Sequence, residues 1–133
     1  MKLSLLGTIA LGIATLVTVV PVSAHHSFSA EYDSKKVVTL TGTVTKVEWM
    51  NPHVYFYLDV TGEDGKIANW AFEMGPPNGL QRSGWTRNTM KIGDEVIVNG
   101  TLAKDGSKQV NARTVTTSDG QKLGAASSEG KGN

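Results

Sequence analysis

Residues 53–60 read HVYFYLDV and residues 66–74 read KIANWAFEM. Side chains of an extended chain alternate between two faces. The first stretch therefore sets Val54, Phe56, Leu58 and Val60 on one side and His53, Tyr55, Tyr57 and Asp59 on the other. The second sets Ala68, Trp70 and Phe72 together. GEDGK (62–66) joins them, with Gly65 suited to the left-handed position of a short loop. A Glu63-Asp64-Gly65 loop makes Gly62 face Lys66 and puts Tyr55 opposite Glu73, with His53 one step diagonal to that carboxylate. A hairpin with one apolar face has to bury that face, so the chain must build a β-layer over a core. Trp70 and Phe72 are expected in that core.

The flanking segments extend the same pattern. VVTLTGTVTKVEW (37–49) is a Val- and Thr-rich strand, and its interior Gly42 suggests a bend or bulge. PPNGLQRSG (76–84) opens on proline and closes on glycine, the punctuation of one or two helical turns. A turn at Ile92–Asp94 precedes a strand near Glu95–Asn99, and KDGSK (104–108) turns the chain into a last strand at about 109–117. Three strands, a short helix and two strands predict an all-β fold: a five-stranded OB-fold-like Greek-key barrel with one short helix between strands three and four. Another small β-sandwich or open barrel has the same strand count.

Upstream, MKLSLLGTIALGIATLVTVVPVSA has one charge at Lys2, an apolar run from Leu3 to Val20, and small residues at Val22 and Ala24. That is the layout of a secretory signal, with cleavage expected between Ala24 and His25. An uncleaved membrane anchor is the competing reading, because the apolar run borders on spanning length. The expected organisation is a signal peptide at 1–24, a His-containing arm at 25–36, a barrel domain at 37–123, and a small, polar, disordered tail at 124–133. The expected location is the periplasm or the exterior, with no membrane span after processing.

Charge narrows the partners. The chain carries 13 Lys and Arg against 12 Asp and Glu, and loss of Lys2 with the signal brings the balance to zero. Nucleic-acid binders normally carry a basic surplus, so none is expected. There is no cysteine, hence no disulfide, no thiolate ligand and no lipidated cysteine. A single domain with one modest core is expected to act as a monomer.

All three histidines occupy telling positions. His25 and His26 follow the expected cut, and His53 opens a strand directly after the Asn51-Pro52 turn. An N-terminal histidine offers its α-amine and ring Nδ1 to one metal ion. A second imidazole, from His53 or His26, completes the nitrogen-rich tetragonal set that suits copper(II). Glu73 beside His53 is the kind of outer carboxylate that fixes the tautomer of a metal-binding imidazole. The plainer alternative is a frayed terminus and an exposed strand-end residue that bind nothing. Contact between the arm and His53 requires the arm to fold back along the barrel.

Two other features have a functional and a plain reading. Tyr55 and Tyr57 could stack a ligand, or could cover a half-exposed sheet. GWTRN (84–88) could present Arg87 to an anion, or could pack Trp85 at the barrel end with Arg87 solvated.

HHSFSAEYD (25–33), LTGTV with WMNPHVY, NWAFEMGPPNGLQRSGWTRN and KIGDEVIVNG together resemble a family of small exported bacterial proteins catalogued as domain of unknown function 6152. The resemblance covers essentially the whole chain after the signal. It implies export and one small domain, and places His25, His26 and His53 at the family's motif positions, with no established activity to carry over.

Two function classes follow. One is an exported metal-binding protein taking copper through His25, with His26 or His53 and outer support from Glu73. The other is a non-metal interaction module binding a peptide, saccharide or partner protein on its Tyr55/Tyr57 face. Catalysis is not expected, because a flat substrate face of the kind found on polysaccharide-oxidising copper enzymes is missing from so small a β-domain.

Overall fold

The structure is a computed structural model that describes residues 28–129. The signal-like stretch, His25 and His26 lie outside the described residues, as do the last four.

The described chain forms α1 (Phe28–Glu31), β1 (Tyr32–Glu48), β2 (Tyr55–Thr61), β3 (Ile67–Glu73), α2 (Pro77–Arg82), β4 (Glu95–Ala103), β5 (Gln109–Thr116) and β6 (Lys122–Gly124). The strands make one sheet in the order β3-β2-β1-β4-β5-β6. Every pairing is antiparallel except a short parallel contact of β3 with β5. That contact, Ala71 to Gln109 through Glu73 to Asn111, closes five of the strands into a ring.

The β2–β3 hairpin has the expected register: Tyr55 pairs with Glu73, Phe56 with Phe72, and Thr61 with Ile67. Gly62 donates to and faces Lys66, and Gly65 takes φ +74° in the loop, where a side chain would be strained. Val54, Phe56, Leu58 and Phe72 are fully buried, while His53, Tyr55 and Tyr57 are half-buried on the other face. Phe56 and Phe72 stack with centroids 4.9 Å apart. Trp70 departs from the expectation. It has the core-facing parity, but it lies mid-strand opposite Leu58, nearer the loop than Phe72, in the half of β3 that is less covered, and is only partly buried.

β1 is long because it serves two neighbours. It pairs with β4 from Tyr32 to Thr43 and with β2 from Thr43 to Glu48. Gly42 sits at the changeover, and a Cβ there would lie 2.6 Å from the Asp59 carbonyl oxygen. Glycine is needed for this close approach of two backbones. The bulge itself lies two residues on, between Val44 and Lys46.

α2 begins with Pro77 in its first turn, and Ser83 and Trp85 donate to the Leu80 carbonyl at its end. Leu80 and Trp85 are buried beneath it, Trp85 Nε1 donates to the Gly124 carbonyl at 2.9 Å, and Arg87 is exposed.

Three boundaries differ from the sequence expectations. The strand expected at 37–49 starts at Tyr32, so part of the expected arm at 25–36 is β1, interrupted by a register shift between Tyr32 and Val37. Tyr32 is buried, and that burial carries the strand back to it. A sixth strand joins the expected five, anchored by buried Leu123. The tail expected to be disordered from 124 is packed through 129. Ala125 is fully buried, and Arg113 pairs with Glu129.

Candidate functional site

Glu73 ends β3 on the face that strand parity turns outward, yet only 5% of it is exposed. The cover comes from the start of the described chain. α1 and the first residue of β1 cross this end of the ring, with the Phe28 and Tyr32 rings stacked at 5.5 Å. A buried carboxylate is tolerable only when its oxygens are hydrogen-bonded. Here the Tyr32 hydroxyl donates to Glu73 Oε2 at 2.6 Å, and His53 Nδ1 donates to Oε1 at 2.9 Å. Gln109, opening β5, donates from Nε2 to the Tyr32 hydroxyl at 2.8 Å. Among the described residues no buried side-chain polar atom lacks a partner.

The network joins four strands: Tyr32 from β1, Tyr55 from β2 with His53 just before it, Glu73 from β3, and Gln109 from β5. Burial pushes the Tyr32 phenol far above its ordinary value, and the bond to Glu73 adds to the shift. Tyr55 is raised by burial first and by the negative charge of Glu73 second. Both phenols therefore stay protonated as donors.

His53 is held differently. Its side chain is 36% exposed. With Nδ1 donating to Glu73, Nε2 is the ring nitrogen left to accept a proton or a metal. Among the described residues, no three His, Asp or Glu side chains cluster to cage a metal ion. His53 and Glu73 come together as the hairpin register requires, while His25 and His26 lie outside the described residues.

The two tyrosines of the expected ligand face part company. Tyr55 lines an open cleft of about 380 Å³ with Tyr32 and Gln109 on its floor and Glu31, Lys104, Asp105 and Ser107 at its rim. Tyr57 lies away from that cleft. Its hydroxyl donates to Glu48 at 3.0 Å, and the Lys46 ammonium sits 5.3 Å from its ring centroid.

Tyr32 and Gln109 are the site residues that the strand patterns do not reveal. Tyr32 stands in AEYDSKK, a polar stretch without a two-residue period. Its only signal is one aromatic among charges. Gln109 opens a strand and gives no signal of its own.

A family model described as a family of unknown function (DUF6152) matches residues 14–112. The chain belongs to that family. The match takes in all three histidines and every residue of the Tyr32–Glu73–His53–Gln109 network. No curated protein and no solved structure matches the chain.

Proposed function

We propose that this member of the DUF6152 family is an exported, monomeric, non-catalytic protein of the periplasm or exterior that binds copper(II). The five-strand ring, ordered β1-β2-β3-β5-β4, with α2 between β3 and β4, supports reading it as an OB-type Greek-key barrel. The ligands are the α-amine and ring of His25, exposed by cleavage after Ala24, and Nε2 of His53. His26 supplies a further imidazole, and Glu73 fixes the His53 ring from behind.

One observation carries this reading: the same carboxylate, Glu73, holds both His53 and Tyr32. The expected arm is thus tied down beside His53. Phe28 is three residues after His25, a span of at most about 10 Å at ~3.3 Å per residue. That β1 brings Tyr32 onto the carboxylate that holds His53 supports the folding-back that a shared metal site requires. The charge-balanced, cysteine-free composition suits nitrogen ligation and offers nothing for nucleic acid.

Titration calorimetry with Cu(II) tests the reading on a chain starting at His25 and on the same chain with one residue added before it. The extension keeps every side chain but removes the amine from the chelate. The proposal expects at least tenfold weaker binding in the extended chain. Equal affinities would reduce the site to ordinary histidine binding.

The cleft favours a second reading, an interaction module without metal. A small polar ligand, a peptide or a saccharide end would contact Tyr55 and the cleft rim, while Tyr57 would remain in its surface contacts with Lys46 and Glu48. Ligand-dependent shifts of Tyr55 in a metal-free protein that ignores Cu(II) would favour it.

A further inference from the structure

β3 carries Glu73, and its pairing with β2 continues beyond the strand ends. Met74 N–H donates to the Val54 carbonyl at 2.8 Å, and Val54 N–H donates to the Gly75 carbonyl at 3.1 Å. These two bonds fix the backbone on both sides of the His53–Glu73 contact.

Gly75 is in turn gripped from the far end of the chain. Its N–H donates to the Ala125 carbonyl at 2.8 Å, and Ala125 N–H donates to the Arg113 carbonyl on β5 at 2.9 Å. The fit is close: a Cβ on Gly75 would lie 2.2 Å from the Ala126 carbonyl oxygen. Ala125 itself is fully buried. Beyond it, Ser127 bonds Asn111, and Glu129 bonds both Arg113 and Thr101. Residues 125–129 therefore bridge the end of β3 to β4 and β5 from outside the ring.

We infer that residues 125–129 are a strap that positions the His53 imidazole, acting through Gly75 and Val54 on the Glu73–His53 pair. The strap's hydrogen bonds go to Gly75, Arg113, Asn111 and Thr101 rather than to His53 or Glu73, so its residues are positioning residues. With the strap seated, the end of β3 is held between β2 and the C-terminal chain, and His53 keeps its Nδ1 on Glu73. With the strap gone, Gly75 loses its outer partner, and the hydrogen bonds bracketing Val54 lose their support. The inference deepens the proposed copper site and rests on it only for the use to which Nε2 is put. The positioning itself is measurable without metal.

The test compares the metal-free full chain after Ala24 with the same chain ending at Gly124, by nitrogen-15 NMR of the imidazole rings and by amide hydrogen exchange. In the full chain His53 should be a single Nδ1–H tautomer at pH 8. In the shortened chain the Nε2–H form should appear beside it, and exchange at Val54 and Gly75 should rise at least tenfold while Phe56 and Val98 stay protected. An unchanged tautomer overturns the inference. So does equal acceleration at every core amide, which would mark the strap as general stabilisation only. If the shortened chain does not fold, Gly75→Ala decides in the full chain, since a Cβ there would meet the Ala126 carbonyl oxygen and push residues 125–126 off the end of β3. The same His53 tautomer shift is expected there, and its absence overturns the inference. Copper failing to bind would leave the tautomer result untouched.

Discussion

His53 Nδ1 lies 2.9 Å from Glu73 Oε1, a contact made across the β2–β3 hairpin between a half-exposed imidazole and a buried carboxylate. The carboxylate's other oxygen accepts from Tyr32, whose position in the sequence is 41 residues away. A buried carboxylate shared by two donors from different ends of a domain fixes both donors at once. That arrangement gives the His53 ring a defined orientation.

Glu73→Gln should destabilise the metal-free protein. The amide replaces one accepting oxygen by a donor that faces either the Tyr32 hydroxyl or the His53 N–H. Leaving a buried donor unmatched costs about 1–3 kcal/mol. Urea unfolding should show that loss with an unchanged dependence on denaturant. A loss below a few tenths of a kcal/mol would mean that Glu73 is not the carboxylate the network depends on.

The chain has three tyrosines, and all three phenols are raised, each by burial first. Tyr32 and Tyr55 owe further increases to Glu73, and Tyr57 to its bond with Glu48. An unfolded phenol titrates near pH ~10, so the unfolded chain releases protons there that the folded chain retains. The stabilisation is complete below that pH and is lost as pH rises toward the folded values. In folded protein the absorbance at 295 nm should lack the Tyr32 and Tyr55 contributions, which should appear only together with alkaline unfolding. A smooth three-tyrosine titration centred near pH 10 in folded protein would contradict the burial of this cluster.

Gly42→Ala should be among the more damaging single-methyl changes. The added carbon would meet the Asp59 carbonyl oxygen, with Leu58 Cβ and Val60 Cγ2 also close, where β1 passes from β4 to β2, and a strand backbone leaves little to yield. Forcing atoms into such a fit costs about 1–3 kcal/mol. Thermal unfolding should register it, whereas Gly106→Ala, with open space at its Cβ and φ +79°, tests the separate cost of a positive φ.

The hairpin was legible down to its register because two physical signals agreed. Alternation set the faces of residues 53–60, and the loop chemistry of 62–66 set the pairing that brought Glu73 to Tyr55. The helix between β3 and β4 was marked by Pro77 and Gly84. What alternation could not reveal was anything held by tertiary cover rather than by period. Tyr32 is buried because α1 and the closing strand fold over it, and its neighbours Glu31 and Asp33 are as polar as any loop. β6 is three residues long and shows only Leu123 as a buried side chain, too short to display a period. The tail is small and polar, and its order comes from Ala125 entering the gap beside Gly75 and from Glu129 meeting Arg113. Trp70 shows the converse: correct parity without full burial, since position along a strand matters as much as face.

The central claim is that His53 Nε2 and the exposed amine of His25 share one copper ion. Pulsed electron paramagnetic resonance on the chain beginning at His25, loaded with one equivalent of Cu(II), tests it most directly by counting coordinated imidazoles. The account predicts modulation from at least two imidazoles, with one lost in His53→Ala and the Cu(II) affinity lowered at least tenfold. A spectrum and affinity unchanged by His53→Ala would contradict it, because copper would then sit on the terminal residues alone.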